Sequence, residues 1–136
     1  MMKLLKFKQE YYTMIKEGVK TQTMRMPQKR LEVSPGDSVI AIFPDGEELL
    51  LKITNVGYKA FKSINDEDAE REGFETVDEL KKVLLDIYHE FNIFDSSRFY
   101  YYQFECVREI IKESQEIIDE TVANSDYAQD LIFGRL

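Results

Sequence analysis

The sequence predicts an α+β domain whose short strands close into a small β-barrel with flanking helices. Three observations carry that prediction. Short apolar runs with strand-like alternation are interrupted by segments of helical period. Pro44-Asp45-Gly46-Glu47, set between two such runs, is a hairpin signal. Phe99-Tyr100-Tyr101-Tyr102-Gln103-Phe104 has the residue types of a wall strand. At 136 residues the chain reads as one domain, and 43% hydrophobic content suffices for a sizeable core.

Each element follows from local pattern. Leu4 to Phe7 reads as a first strand. Phe7, Tyr11, Met14 and Ile15 then recur on one helical face, and Gly18 supplies a C-cap. Lys20 to Arg25 reads as a strand, followed by a loop from Met26 to Asp37 that contains Pro27 and Pro35. Val39, Ala41 and Phe43 alternate with Ser38, Ile40 and Ile42, so this strand is partly apolar on both faces. Its return strand is Leu49 to Val56, running on toward Phe61. Asn65 to Glu72 is a short acidic helix stopped at Gly73. Thr76-Val77-Asp78-Glu79 is a capping box opening a helix with Val77, Leu80, Val83, Leu84 and Ile87 as its apolar stripe, read as core. Phe99 to Val107 is the closing aromatic strand. Glu109 to Ala123 is amphipathic, and Tyr127 to Phe133 suits a last helical turn. Residues 1–107 are thus the domain, and 108–136 a helical extension expected to pack on it rather than to mediate dimerisation. The oligomeric state is not legible.

Composition narrows the function classes. No apolar run approaches the roughly 20 residues of a membrane-spanning helix, so no membrane partner is expected. Met1 to Lys6 is too short and too charged for a secretory signal. A lone Cys106 makes no internal disulfide, and a cytoplasmic location is expected. One histidine, His89, and one cysteine leave no zinc-type ligand set, so no metal or other cofactor is expected. His89 reads as a charge partner of a helix C-terminus, and Cys106 as a core residue.

A net charge of −8 argues against sequence-blind binding to a long DNA duplex. Residues 16–30 run against that trend. Lys16, Lys20, Arg25, Lys29 and Arg30 face only Glu17 there, while the acid crowds between Asp66 and Glu90. A basic patch on an acidic body suits a small anionic ligand or a short RNA element better than a long duplex.

Gly18-Val19-Lys20-Thr21-Gln22-Thr23-Met24-Arg25 is the most informative stretch. A hydroxyl beside an amine is a nucleophile with its own base. Hydroxyls beside an arginine also hold a phosphate or a base edge. The plain alternative is a half-exposed strand, since threonine is a good strand former. Strand geometry raises one objection to the first reading. In a regular strand Lys20 and Thr23 point to opposite faces, whereas Thr21, Thr23 and Arg25 share one. Lys20 meets Thr23 only if the chain is still turning after Gly18; a straight segment makes a binding row instead.

The stretch resembles the GxKxxTxR signature of ASCH domains, the activating signal cointegrator homology family, which is related to the PUA fold. Further pieces match in order. Ser34-Pro35-Gly36-Asp37 with Val39 to Ile42 is similar to the family's PGD turn and strand. Asp68-Ala69-Glu70-Arg71-Glu72-Gly73-Phe74 resembles its DAxxEGF-like element. Leu80-Lys81-Lys82-Val83-Leu84 through Tyr88 resembles the helix that follows, and Arg98 to Phe104 its closing strand. The resemblance spans about Lys3 to Val107. It implies a small PUA-like barrel.

Within that family the likeness is to small bacterial amidohydrolases that remove the acetyl group of N(4)-acetylcytidine. It implies Lys20, Thr23 and Glu72 as catalytic residues. Spacing before the Leu80 helix departs by one residue, which leaves Glu70 as the fallback for Glu72. Thr23 would attack the acetyl carbonyl, with Lys20 as its base if its amine is partly neutral. Thr21, Arg25, Tyr100 and Tyr102 are expected to bind substrate, the two rings by stacking or simply as wall. The long loop from His89 to Ser97 and the extension depart from the hydrolase pattern. The alternative function is a non-catalytic RNA-binding module, or an RNA-cleaving relative, using the same cleft.

Overall fold

The computed structural model describes residues 2–111. The fold is α+β. Five strands form one sheet: β1 Lys3–Lys6, β2 Gln22–Arg25, β3 Ser38–Ile42, β4 Glu48–Ala60 and β5 Arg98–Glu109. Their order is β1-β3-β4-β5-β2. β1 and β3 run parallel, and the remaining pairs are antiparallel. The sheet curls into the half-barrel of a PUA-like fold, with β1 and β2 as its two edges. An open cleft lies at the seam between those edges.

The Pro44–Glu47 turn joins β3 to β4 as the sequence predicts, with Phe43 N donating to Glu47 O at 3.2 Å. β4 runs on to Ala60, and β5 pairs with it through two register shifts, at Leu50/Leu51 and Ile53/Asn55. β5 also extends to Glu109, where the sequence suggested the start of a helix; Ile110 N then donates to Glu48 O at 3.0 Å. The remainder of the expected extension, from residue 112 on, lies outside the described residues.

Among the described residues three helices cover the sheet: α1 Tyr12–Lys16, α2 Asp66–Glu72 and α3 Val77–Ile87. α1 is shorter than its apolar pattern suggests, because Gln9–Tyr11 is a 3-10 turn and Phe7 precedes it. α2 carries a capping box of its own. Asn65 Oδ1 accepts from Asp68 N at 3.0 Å, and Asp68 Oδ2 accepts from Asn65 N at 3.1 Å. The predicted box of Thr76 and Glu79 opens α3. Gly73 ends α2 in the left-handed region, at φ 92°, and a Cβ there would collide with Met14 Cε.

Two apolar cores result. Leu5, Phe7, Val39, Leu51, Ile53 and Phe104 fill the concave side of the sheet with their neighbours. Met24, Ile64, Ala69, Leu80, Leu84 and Phe99 join β2 and β5 to α2 and α3. Each large side chain so buried contributes about 1.5–3 kcal/mol. The predicted stripe of α3 is only partly core. Leu80 and Leu84 are buried, but Ile87 is 41% exposed. No helix among the described residues is long and apolar enough to cross a membrane.

Candidate active site

An open cleft of about 690 Å³ runs along the seam between β1 and β2. Leu4, Lys6 and Phe7 line one side; Lys20, Thr23, Met24 and Arg25 line the other. α2 contributes Glu72, while Val83, Leu84 and Ile87 of α3 form an apolar wall. The half-exposed end of the α3 stripe is therefore a cleft wall. Its volume falls in the range of small-molecule sites.

The segment before β2 is shaped by Gly18, which sits at φ 80°. Val19 N and Lys20 N both donate to Met14 O, at 2.8 and 3.0 Å, so the chain is still leaving the helix at Lys20. β2 itself begins at Gln22. This answers the geometric objection in two ways. Lys20 is outside the regular strand, and β2 is a sheet edge. A cleft that opens on an edge receives side chains from both faces of the strand, so Lys20 and Thr23 both line it.

Lys20 and Glu72 form a buried ion pair, Nζ to Oε1 at 2.9 Å, with side chains 4% and 5% exposed. Lys20 Nζ also donates to the Glu72 backbone oxygen at 3.2 Å and lies 4.8 Å from the Tyr11 ring centre. Burial pushes the Glu72 carboxyl above its usual range; Lys20, Gln22 and Arg25 oppose that rise without cancelling it.

A polar chain continues behind the pair. Gln22 Nε2 donates to Glu72 Oε2 at 3.3 Å and to Asp68 Oδ1 at 3.2 Å. Gln103 Nε2 donates to Gln22 Oε1 at 3.0 Å. Lys59 Nζ meets Asp68 Oδ2 at 2.8 Å. Burial pushes Asp68 up, but Lys59, the Asn65 N–H and Gln22 together hold it below its ordinary value. Their surroundings thus shift the two neighbouring carboxyls in opposite directions, Glu72 up and Asp68 down.

On the other side of β2, Arg25 Nε donates to Thr23 Oγ1 at 3.3 Å, and Arg25 Nη2 donates across the seam to Lys6 O at 2.9 Å. The guanidinium packs over the Phe7 ring at 5.3 Å. Its pKa is lowered by burial, yet an arginine stays cationic. Tyr88 lines the cleft and its hydroxyl accepts from Met26 N at 3.4 Å.

The structure brings Lys20, Thr23, Arg25 and Glu72 together. Glu70 is absent from the cleft lining, which favours Glu72 over it. Thr21 is half-buried and absent from the lining; its backbone is fixed by Arg71 O and Phe104 N. Tyr100 and Tyr102 lie apart from this cleft and line a second one of about 400 Å³. Arg30 and Leu31 sit over them: Arg30 packs on the Tyr100 ring at 4.8 Å, and Leu31 N donates to the Tyr102 hydroxyl at 2.7 Å. Sequence reasoning did not single out Gln22, Tyr11 or Tyr88. Gln22 stands inside the motif and signals itself as a glutamine at 0% exposure only once folded. Tyr11 was read as helix face, and nothing in the sequence marks Tyr88.

No family model matches the chain, and neither does any curated protein. Solved structures do match. The ASCH domain from Lactobacillus crispatus aligns at TM-score 0.63 and 15% identity, over 71% of this chain and 69% of that one. ASCH from Zymomonas mobilis aligns at TM-score 0.57 and 13% identity, over 84% and 76%. A hypothetical protein of known crystal structure aligns at TM-score 0.62 and 27% identity, over 79% of this chain and all (100%) of that one. The chain has the ASCH-domain fold.

Proposed function

We propose that this ASCH-fold chain is an amide hydrolase acting on an acylated nucleoside such as N(4)-acetylcytidine. The observation that carries the reading is the buried Lys20–Glu72 pair opening on the same cleft as the Thr23 hydroxyl. An ion pair taken out of water costs free energy, and here it lines the same cleft of ligand size as a nucleophile-type side chain.

The chemistry uses groups already in place. Burial favours the neutral form of Glu72, and its carboxyl lies within hydrogen-bond reach of the Lys20 amine, Oε1 to Nζ at 2.9 Å, so the two groups can share a proton during the reaction. Thr23 Oγ attacks the acetyl carbonyl carbon while Lys20 takes the hydroxyl proton. Arg25 Nε, already donating to Thr23 Oγ1, places a fixed cation where negative charge develops. The carbon–nitrogen bond then breaks, and the departing cytosine amine takes a proton from the Lys20–Glu72 pair. The acetyl group remains as an ester on Thr23. Water cleaves that ester, returning a proton to Oγ and releasing acetate.

The apolar wall of Val83, Leu84 and Ile87 suits the acetyl methyl or a base face. A second reading rests on Lys8 and Lys29, exposed cations on the rim, which suit the phosphates of a bound RNA without turnover.

The test is conversion of acetylcytidine to cytidine by the purified chain, followed chromatographically. Thr23→Val should abolish turnover and leave the circular dichroism spectrum unchanged, since only a hydroxyl is lost. A wild-type chain with no turnover overturns the hydrolase reading. Full activity in Thr23→Val removes the nucleophile from it.

A further inference from the structure

Asp68 takes no step in that chemistry, yet it is almost fully buried and heavily engaged. Its Oδ2 accepts from Lys59 Nζ at 2.8 Å and from Asn65 N at 3.1 Å. Its Oδ1 accepts from Gln22 Nε2 at 3.2 Å and has Arg71 Nη1 at 4.0 Å. Asp68 is absent from the cleft lining, and Gln22 is what joins it to the cleft. The Gln22 amide nitrogen carries two hydrogens and meets two carboxyls, Asp68 Oδ1 and, at 3.3 Å, Glu72 Oε2. The amide oxygen is taken by Nε2 of Gln103, its direct partner on β5, at 3.0 Å.

The end of a glutamine has nearly the same shape either way round, so its partners decide which atom points where. Glu72 alone does not decide it. A neutral carboxyl donates as readily from Oε2 to a turned Gln22 oxygen, and burial favours the neutral form of Glu72. Asp68 removes that option. Burial pushes Asp68 up, but Lys59, the Asn65 N–H and Gln22 hold it below the ordinary carboxyl range, so it stays an acceptor. A turned Gln22 would set its oxygen against that carboxylate with no proton between them, in a site closed to water.

We propose that Asp68 is a positioning residue acting through Gln22: it keeps the amide turned with its NH2 toward Glu72, so that Glu72 Oε2 is always an acceptor and any proton on Glu72 sits on Oε1. Oε1 is the oxygen that meets Lys20 Nζ at 2.9 Å. The proton is thereby kept where the Lys20–Glu72 pair uses it, instead of on the oxygen behind the pair. The catalytic consequence rests on the hydrolase reading; the orientation of Gln22 does not. Besides Lys20, the titratable groups that act on Glu72 are Arg25 and the Tyr11 and Tyr88 hydroxyls. All of them stay in place when Asp68 or Gln22 is replaced.

The experiment is a double-mutant cycle of Asp68→Asn and Gln22→Met, read by NMR titration of the Glu72 carboxyl carbon and by kcat and KM for acetylcytidine. Asparagine keeps an oxygen for Lys59 and for Asn65 N and offers its own NH2 to Gln22, so the helix cap survives while the amide is turned. Losing a negative neighbour makes Glu72 easier to ionise. In the Gln22→Met background Asp68→Asn should therefore lower the Glu72 titration. With Gln22 present, the turned amide opposes that fall, and Glu72 should titrate at higher pH than charge loss alone gives. There kcat should drop by about 5- to 150-fold, the rate equivalent of one mispaired buried polar group, with KM unchanged. In Gln22→Met the same substitution should cost little in kcat. In the wild-type chain both side-chain amide protons of Gln22 should exchange slowly with solvent and shift as the two carboxyls titrate. Equal shifts of Glu72 in the two backgrounds, or fast exchange of the Gln22 amide protons in wild type, overturn the inference. A wild type without turnover ends the hydrolase reading, and the titrations alone then decide the role of Asp68.

Discussion

The two sides of strand β2 do opposite jobs. Gln22 and Met24 face the helices: Gln22 is fully buried and bonded to Asp68, Glu72 and Gln103, and Met24 is packed among Leu80, Leu84 and Phe99. Thr23 and Arg25 face the concave side, where Arg25 holds Thr23 and bridges to Lys6 across the seam. One side is a closed polar network that fixes where Glu72 sits. The other presents a hydroxyl and a cation to a cleft. An edge strand permits this division, because its open margin lets a polar row line the cleft without dismantling the packed one. Lys20, just ahead of the strand, is the point where the two sides meet.

The sharpest break of that comparison is at Lys20. Lys20→Arg keeps a cation beside Glu72 but removes an accessible base, since arginine stays protonated. Hydrolysis of acetylcytidine should fall by roughly 10²–10⁴-fold, the usual share of general acid–base catalysis. Arginine is bulkier, so ligand binding is measured in parallel by calorimetry. A variant that binds ligand and turns it over at near wild-type rate makes Lys20 an electrostatic anchor and ends the proposed mechanism.

Lys20→Met tests the closed side instead. It leaves Glu72 buried with no countercharge from Lys20, and removing one partner of a buried pair costs about 3–5 kcal/mol. The sign with pH follows from Glu72. Its carboxyl is already raised by burial in the folded chain, so the folded state holds that proton more tightly than the unfolded one. Stability from such a group is present below the ordinary carboxyl range and is lost as pH rises through the raised value. Without Lys20 the rise is larger. The deficit of Lys20→Met in urea unfolding should therefore be small near pH 4 and grow toward pH 8. A deficit that shrinks with rising pH contradicts this account of the pair.

Much of the fold was legible because it rests on local rules. The Pro44–Glu47 hairpin, the Thr76 capping box and the stop at Gly73 are short-range signals, and each lies where its chemistry requires. The grouping of Lys20, Thr23, Arg25 and Glu72 was legible through motif resemblance, and the turn after Gly18 makes it physically workable. What was not legible depends on long-range placement. Tyr100 looks like a cleft residue from its strand, but Arg30 comes back over its ring and puts it in a separate groove. Ile87 reads as core because period alone does not say that α3 ends beside an open seam. Gln22 sits in the motif as an ordinary polar residue, and only the approach of α2 gives it two carboxylates to hold.

That role of Gln22 gives the mildest and most selective prediction. Gln22→Met keeps side-chain length and loses every polar contact. Glu72 Oε2 and Asp68 Oδ1 each lose an amide donor, and Gln103 Nε2 loses its acceptor. Leaving buried polar groups short of a partner costs about 1–3 kcal/mol, less than removing the charge at Lys20. Asp68 should also rise from its lowered value, because Gln22 is one of the groups holding it down; NMR titration of its carboxyl carbon reads this directly. Lys59 remains in place, so the rise should be modest. A Gln22→Met chain as stable as wild type, with Asp68 unmoved, would mean that apolar packing serves here as well as the network. The closed side of β2 would then owe its order to Met24 and its neighbours, and Glu72 would be positioned by Lys20 alone.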